Sequence, residues 1–116
     1  MYNTPYQELL RKIPKLYETN NTMLEDKIVY AHFFFSTSDW YIFEYDGEDT
    51  FFGYAILNGD TQNAELGYIS FSELRGLRVD GFEADYDLYW TEKKFSEAAL
   101  EKGIRCAANS EPVQIL

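Results

Sequence analysis

Basic residues are absent from the middle of this chain of 116 residues, since no lysine or arginine occurs from Ile28 to Leu74. Eight acidic residues lie in that stretch, and the whole chain has a formal net charge of −10. A negative field of this size repels phosphate backbones, so we expect no direct binding of nucleic acid. The complementary partner is a basic protein surface, although acidity also serves solubility alone.

Cysteine and histidine are each present once, as Cys106 and His32. One cysteine excludes an internal disulfide, and one cysteine with one histidine does not make up a zinc site. The sequence also lacks a nucleophile-elbow pattern, a P-loop and a G-x-G-x-x-G fingerprint. We therefore predict no catalytic residue, no bound metal and no cofactor, and we expect His32 to be a packed or hydrogen-bonded residue of a sheet.

Long hydrophobic runs are missing as well. No apolar stretch approaches the roughly 20 residues of a transmembrane helix, so we expect no membrane segment. The first residues, MYNTPYQELLRK, lack the apolar core of a signal peptide. Together with the single cysteine, these features predict a cytoplasmic protein.

Aromatic side chains are abundant and make up 18% of the residues. Many lie in the stretch WYIFEYDGEDTFFGYAIL, residues 40 to 57, where two aromatic runs flank Asp46-Gly47. Aromatic and β-branched residues favour strands, and Asp-Gly accepts the positive φ of a tight turn. This stretch predicts a β-hairpin on which the rest of the chain is built.

Capping patterns and periodicity predict the remaining elements. One helix starts with Thr4 as its cap and ends before Pro14, a second runs from Ser70 through Leu77, and a third covers residues 95–102 with Gly103 as its C-cap. Strands are predicted at residues 28–35, 40–45, 50–57, 64–69 and 82–90. The residues expected to be buried are Leu9, Ile13, Val29, Phe33, Phe43, Phe52, Leu66, Leu74 and Leu88.

These elements predict a single α+β domain over residues 1–103. We expect an antiparallel sheet of about five strands in a meander, with two to three short helices packed on one face. Residues 104–116 are expected to form a loosely ordered C-terminal tail.

Acidic residues are the candidate binding residues. Those predicted to bind a partner are Asp46, Glu48, Asp49, Glu83, Asp85 and Asp87. The first three form the tip of the predicted hairpin. The last three alternate along FEADYDLYW, residues 82–90, so one strand face presents a carboxylate about every 6.6 Å. A regular row of negative charge resembles a phosphate-like surface, since duplex DNA carries one charge about every 3.4 Å of each strand.

Four segments of the chain carry a resemblance to a known family. They are ELLRKIPKLY (8–17), EYDGEDTFFGY (44–54), ELGYISFSEL (65–74) and DYDLYW (85–90). They resemble domain-of-unknown-function family 2958, whose members are small single-domain proteins often encoded on plasmids and other mobile elements. A departure occurs at Tyr86, where the family often has a basic residue. That family has no established activity, so the resemblance implies a genetic setting rather than a chemistry.

Three functional hypotheses follow. The first is a non-enzymatic, acidic protein-binding module of a mobile element that inhibits a host DNA-handling or defence protein by nucleic-acid mimicry. The second is a homodimeric or protein-partner adaptor that uses an exposed aromatic face of the sheet. The third is a small carboxylate-based enzyme or metal-binding protein.

Overall fold

The computed structural model describes residues 4–102 and a short strand at residues 113–114. The helices are α1 (Gln7–Lys12), α2 (Phe71–Gly76) and α3 (Phe95–Glu101). The strands are β1 (Ile28–Val29), β2 (Ala31–Phe35), β3 (Ser38–Tyr45), β4 (Thr50–Ile56), β5 (Glu65–Ser70), β6 (Arg78–Val79), β7 (Phe82–Glu83), β8 (Asp85–Tyr86), β9 (Lys93–Lys94) and β10 (Val113–Gln114). Among the described residues, no helix is both long enough and apolar enough to cross a membrane.

Six strands form the main sheet in the order β10-β5-β4-β3-β2-β8. From β5 to β8 every neighbouring pair is antiparallel, which confirms the predicted α+β fold with its five-stranded antiparallel sheet. β10 comes from the segment predicted as a tail and pairs in parallel with β5. The rest of that segment, including Cys106, lies outside the described residues, and so does Gly103, the predicted C-cap of the third helix. Two smaller sheets pair β1 with β9 and β6 with β7.

The central hairpin forms as predicted, since β3 and β4 are antiparallel neighbours joined by residues 46–49. The backbone N–H of Asp46 donates to the carbonyl oxygen of Thr50 at 2.9 Å and closes the loop. Gly47 has a φ of +87°, a backbone conformation in which a residue with a side chain is strained. The Asp-Gly signal therefore identified the turn correctly.

Both faces of the main sheet are covered. Trp40 and Ile42 of β3 pack on the face that carries α1 and α2, whereas Tyr41 and Phe43 pack on the face that carries α3. Successive strand residues point to opposite faces, so an uninterrupted apolar strand needs cover on both. The expectation that all helices lie on one face is therefore wrong. All eight residues of β3 are buried, so this central strand presents no exposed aromatic side chain.

The prediction of one continuous strand at residues 82–90 is also wrong, because two short strands, β7 and β8, occur there. β7 pairs with β6, whereas β8 pairs with β2, so the chain passes from one sheet to the other at Ala84. β8 ends before Asp87, whose Oδ1 accepts a hydrogen bond from the backbone N–H of Tyr89 at 3.0 Å. An aspartate that binds its own backbone in this way favours a turn over a strand.

Most of the predicted core is buried. The buried members are Ile13, Val29, Phe33, Phe43, Phe52 and Leu74. Leu9 and Leu66 are half-buried at the edges of the two clusters. Leu88 lies in the turn after β8 and is 52% exposed, so its predicted burial is wrong.

Two boundaries near the N-terminus differ from expectation. α1 begins at Gln7 with Tyr6 at the N-cap position, and the side chain of Tyr6 makes no capping hydrogen bond, so the prediction that places the N-cap at Thr4 is wrong. The helix ends at Lys12, with Ile13 as its C-cap, before Pro14, as predicted.

The first predicted strand is divided at Tyr30. The N–H of Tyr30 donates to the carbonyl oxygen of Ile42 at 2.9 Å, and Ala31 also lies opposite Ile42. Two residues therefore oppose one, which shifts the alternation of side chains. As a result Val29 packs on the α3 face, whereas Ala31 packs on the opposite face.

Candidate functional site

The candidate site is built on a hairpin that was not predicted from the sequence. Asp80 and Gly81 join β6 to β7 with φ values of +52° and +83°. Positive φ at both central residues is the signature of a two-residue primed turn. Val79 and Phe82 face each other across it. The available signal was Asp-Gly between two apolar residues, the same dipeptide that predicted the central hairpin.

A groove of about 630 Å³ lies between this hairpin and the end of β2, and we call it the edge groove. Apolar side chains supply much of its wall, and three of them are well exposed: Phe34 at 36%, Val79 at 51% and Phe82 at 71%. Large apolar side chains gathered in one concave place mark a docking surface more often than scattered ones do.

The ionisable side chains that line the edge groove are all acidic, namely Asp80, Glu83 and Asp85. Glu83 Oε2 lies 2.8 Å from Arg78 Nη2, so its charge is compensated. Within the described residues, Asp80 and Asp85 make no ion pair. Asp85 Oδ1 is shielded from solvent and has no hydrogen-bond donor in that part of the chain. A carboxylate that makes no ion pair attracts a cation that approaches along the groove.

The six residues predicted to bind a partner lie in two separate places. The hairpin-tip acids are at the C-terminal end of β3, whereas the others lie beside the C-terminal end of β2, which neighbours the start of β3. β3 has eight residues, so its ends are roughly 24 Å apart at about 3.4 Å per residue. The structure therefore does not bring the two acidic groups into one surface.

Two of the hairpin-tip acids are engaged within the fold. Asp46 Oδ1 accepts hydrogen bonds from three backbone N–H groups of its own loop, at 2.8, 2.8 and 3.0 Å. Burial acts to raise the pKa of Asp46, but these amides outweigh it and leave the pKa below its usual value. Asp49 Oδ2 accepts from the hydroxyls of Ser70 and Ser72, both at 2.9 Å, and fixes the loop to the start of α2. Glu48 is exposed.

A second polar cluster, which we call the His32 clamp, consists of His32, Asp39, Asp87 and Lys102. His32 Nε2 lies 2.7 Å from Asp39 Oδ1, and Nδ1 lies 3.0 Å from Asp87 Oδ2. Lys102 Nζ lies 3.2 Å from Asp39 Oδ2. An ionised carboxylate only accepts hydrogen bonds, so each ring nitrogen bonds to its carboxylate where it carries the proton, and the tautomer sets the donor.

Burial and aromatic rings shape the electrostatics of the clamp. Tyr41 stacks on His32 with ring centroids 4.9 Å apart and planes 11° from parallel. Burial acts to raise the pKa of Asp39, but the hydrogen bond and charge of His32, together with Lys102, leave it below its ordinary value. Burial, with the nearby charge of Asp39, raises the pKa of Tyr41 well above the ordinary value of a phenol.

The His32 clamp lies between neighbouring strands of the main sheet. His32 bonds to two carboxylates, and no hydroxyl or thiol of the described residues bonds to its ring. Two further grooves lie at the β4–β5 turn and beside α1. The members of the His32 clamp line neither these two grooves nor the edge groove. Among the residues that the structure describes, no group of three or more His, Cys, Asp or Glu residues has an arrangement that could hold a metal ion. The clamp therefore joins strands, in line with the expectation that His32 is packed or hydrogen-bonded.

A third polar network surrounds Glu44, which is only 2% exposed. Its Oε1 accepts from the N–H of Tyr17 at 2.8 Å, and its Oε2 accepts from the hydroxyl of Thr19. Lys27 Nζ donates to the carbonyl oxygen of Thr19 at 2.6 Å. Burial lowers the pKa of Lys27, although the charge of Glu44 acts to raise it. This network anchors the loop after α1 to the sheet, so its role is structural.

No protein-family model, no curated protein and no solved structure matches this chain. Membership of domain-of-unknown-function family 2958 thus stays a prediction from the four sequence segments. The edge groove combines exposed apolar side chains with Asp80 and Asp85, which make no ion pair among the described residues.

Proposed function

We propose that this protein is a non-enzymatic binding module that takes up a basic region of a partner protein in the edge groove. The supporting observation is the combination of exposed apolar side chains with acids of uncompensated charge in one concave surface. Phe34, Val79 and Phe82 supply apolar contact area, and Asp80 and Asp85 supply negative charge. Protein interfaces commonly have an apolar centre and charged residues that steer and orient the partner.

The overall charge supports a basic partner at longer range. The net charge of −10, with no lysine or arginine from Ile28 to Leu74, attracts cationic proteins and accelerates their association at low salt. A host protein that binds nucleic acid is one such partner, because its own binding surface is basic.

Mimicry of nucleic acid is a narrower form of this proposal and has less support. Glu83 is paired with Arg78, and Asp87 is bonded to His32. Of the predicted acidic series, Asp85 alone has no ion pair among the described residues. A single acid beside an apolar wall fits the recognition of a side chain better than the imitation of a phosphate backbone.

The test is affinity capture followed by reconstitution. The double variant Val79→Ser, Phe82→Ser removes the exposed apolar wall, and Leu100→Ser on α3 is the matched control because Leu100 is 79% exposed and does not line the groove. We expect the wild type and the control to capture the same basic protein, and the groove variant to lose it.

Reconstitution decides whether the capture is specific. The captured protein, identified by mass spectrometry and purified, should bind the wild type at least tenfold more tightly than the groove variant, with an affinity that falls as salt rises. Equal affinity for both proteins contradicts the proposal. A wild-type dimer in light scattering that the groove variant lacks supports self-association instead.

A further inference from the structure

We infer that the edge groove binds an extended segment that presents one lysine or arginine and, two residues away, one large apolar side chain. This inference rests on the proposed function and adds to it the chemistry of the segment. The cation lies at Asp85, and the apolar side chain lies against Phe34 and Phe82.

The register of the sheet places the cation site beside the apolar wall. Asp85 of β8 is directly opposite Phe34 of β2. Residues directly opposite in an antiparallel pair project to the same face, with Cβ atoms about 4.5–5.5 Å apart. A ligand that contacts both residues must therefore present its charge and its apolar group close together and on one side.

Asp85 is the acid of the groove with the greatest need of a cation. Its Oδ1 is shielded from solvent and has no donor among the described residues, whereas Glu83 already contacts Arg78 at 2.8 Å. Asp85 is only half-buried as a residue and lines the groove, so a cation bound there lies beside its charge.

Phe82 is the most exposed of the three apolar side chains Phe34, Val79 and Phe82 that line the edge groove. It projects from the hairpin with 71% of its surface exposed, and Phe34 opposite Asp85 is 36% exposed. Aromatic side chains that become buried on binding often dominate the affinity of an interface. Their rings also attract the guanidinium or ammonium group that approaches Asp85.

The spacing within the ligand follows from strand geometry. In an extended segment, residues i and i+2 project to the same side, about 6.6 Å apart. That separation is about 1–2 Å longer than the Cβ–Cβ distance expected for the opposite residues Phe34 and Asp85, a difference that the flexible side chain of lysine or arginine covers. The volume of about 630 Å³ is within the range of sites that enclose a few side chains, roughly 300–1,000 Å³.

The test uses synthetic peptides of known sequence and does not require the natural partner. The probe is acetyl-Ser-Thr-Lys-Thr-Leu-Thr-Ser-amide, in which lysine and leucine are two residues apart. The comparison peptides replace lysine by norleucine, replace leucine by serine, or place lysine and leucine next to each other. Binding is measured by chemical-shift titration at low salt, which detects millimolar dissociation constants.

We expect the probe to bind about fivefold more tightly than the norleucine peptide, near the upper limit for a single exposed ion pair. Asp85→Asn should abolish that difference, whereas Glu97→Gln on α3, which removes the same charge from an exposed position outside the groove, should retain it. The serine and adjacent-residue peptides should bind more weakly than the probe, and Phe82→Ser should weaken every peptide that contains leucine.

The outcomes separate this inference from the proposed function. Equal binding of the lysine and norleucine peptides, an unchanged ratio in Asp85→Asn, or no binding of any peptide at millimolar concentration overturns the inference. The proposed function survives any of these results if the Val79→Ser, Phe82→Ser variant still loses the reconstituted partner. It fails with the inference if that variant binds the partner as well as the wild type does.

Discussion

His32 Nε2 lies 2.7 Å from Asp39 Oδ1, and both residues are buried. They come from adjacent strands, β2 and β3, and are diagonal neighbours in the register. The other ring nitrogen contacts Asp87, directly after β8, so a single imidazole joins three neighbouring strands of the main sheet. A buried ion pair adds little net stability, but loss of one partner is costly because it leaves a buried charge uncompensated.

We predict that Asp39→Asn lowers the free energy of unfolding by about 3 kcal/mol, the cost of breaking a buried charge pair. The substitution removes the charge that faces both His32 and Lys102. Asp26→Asn is the matched control, because Asp26 and Lys94 form an exposed pair at 3.6 Å. The control should lose less than about 1 kcal/mol in urea denaturation. Equal losses in the two variants contradict a special role of the His32 clamp.

The stability of the protein should decrease at both extremes of pH. Burial acts to raise the pKa of Asp39 in the folded chain, but His32 and Lys102 stabilise the carboxylate and leave that pKa below its ordinary value. The unfolded chain therefore takes up protons first, and stability falls as the pH drops below about 4. Burial raises the pKa of Tyr41 in the folded chain. The unfolded chain therefore loses this proton first, and stability also falls as the pH rises above about 10.

Urea unfolding measured from about pH 3 to pH 11 checks this dependence. Asp39→Asn should flatten the acid side of the profile, and Tyr41→Phe should flatten the alkaline side. Other carboxylates with a lowered pKa, such as Asp46 and Asp49, keep part of the acid dependence in the Asp39 variant. A profile that is identical in all three proteins contradicts the assignment.

Local signals predicted much of the fold. Asp46-Gly47 identified the central turn, and Ser70 caps α2 by accepting a hydrogen bond from the N–H of Glu73, as the capping pattern indicated. These features depend on residues within a few positions of each other. The direction in which α3 packs depends on long-range contacts, because Phe95 meets Tyr41 and Phe43 far away in the sequence.

The candidate site was harder to predict for a physical reason. The alternation in FEADYDLYW fits one strand, yet Glu83 bonds to Arg78 in one sheet, while Asp85 pairs with β2 in another. Alternation reports which side chains differ in polarity but not which strand each residue pairs with. The dipeptide Asp80-Gly81 was the signal that predicts the observed pairing, because a tight turn there pairs the residues that follow it with β6.

We predict that Phe52→Ala lowers the free energy of unfolding by about 3–5 kcal/mol, the usual cost of emptying an aromatic core site. Phe52 is 7% exposed and packs in the cluster beneath α3. Phe82→Ala should change stability by less than about 0.5 kcal/mol, because Phe82 is 71% exposed. Urea denaturation measures both variants, and a large loss in the Phe82 variant indicates that this residue supports the fold instead of presenting a binding surface.

Two glycines should respond in opposite ways to alanine. A Cβ at Gly53 overlaps the carbonyl oxygen of Tyr41 on the neighbouring strand, so Gly53→Ala must displace backbone in the middle of the sheet. We expect it to destabilise by several kcal/mol, on the order of 3. A Cβ at Gly76, the last residue of α2, meets no atom of the described residues within 4 Å, and Gly76→Ala should stabilise by about 0.5–1 kcal/mol. Thermal melts of the two variants should therefore shift in opposite directions.

The final prediction separates Asp85 from Asp87, which a single continuous strand would make equivalent. Asp85 has an oxygen without a donor among the described residues, so Asp85→Asn relieves an uncompensated charge and should leave stability unchanged or raise it by about 0.5 kcal/mol. Asp87 bonds to His32 Nδ1 and to the N–H of Tyr89, both at 3.0 Å. Asp87→Asn should therefore cost about 1–2 kcal/mol, since hydrogen bonds to a charged group are lost. Urea denaturation of the two single variants at neutral pH measures the difference, and equal effects of the two substitutions contradict the observed break between β8 and the turn that follows it.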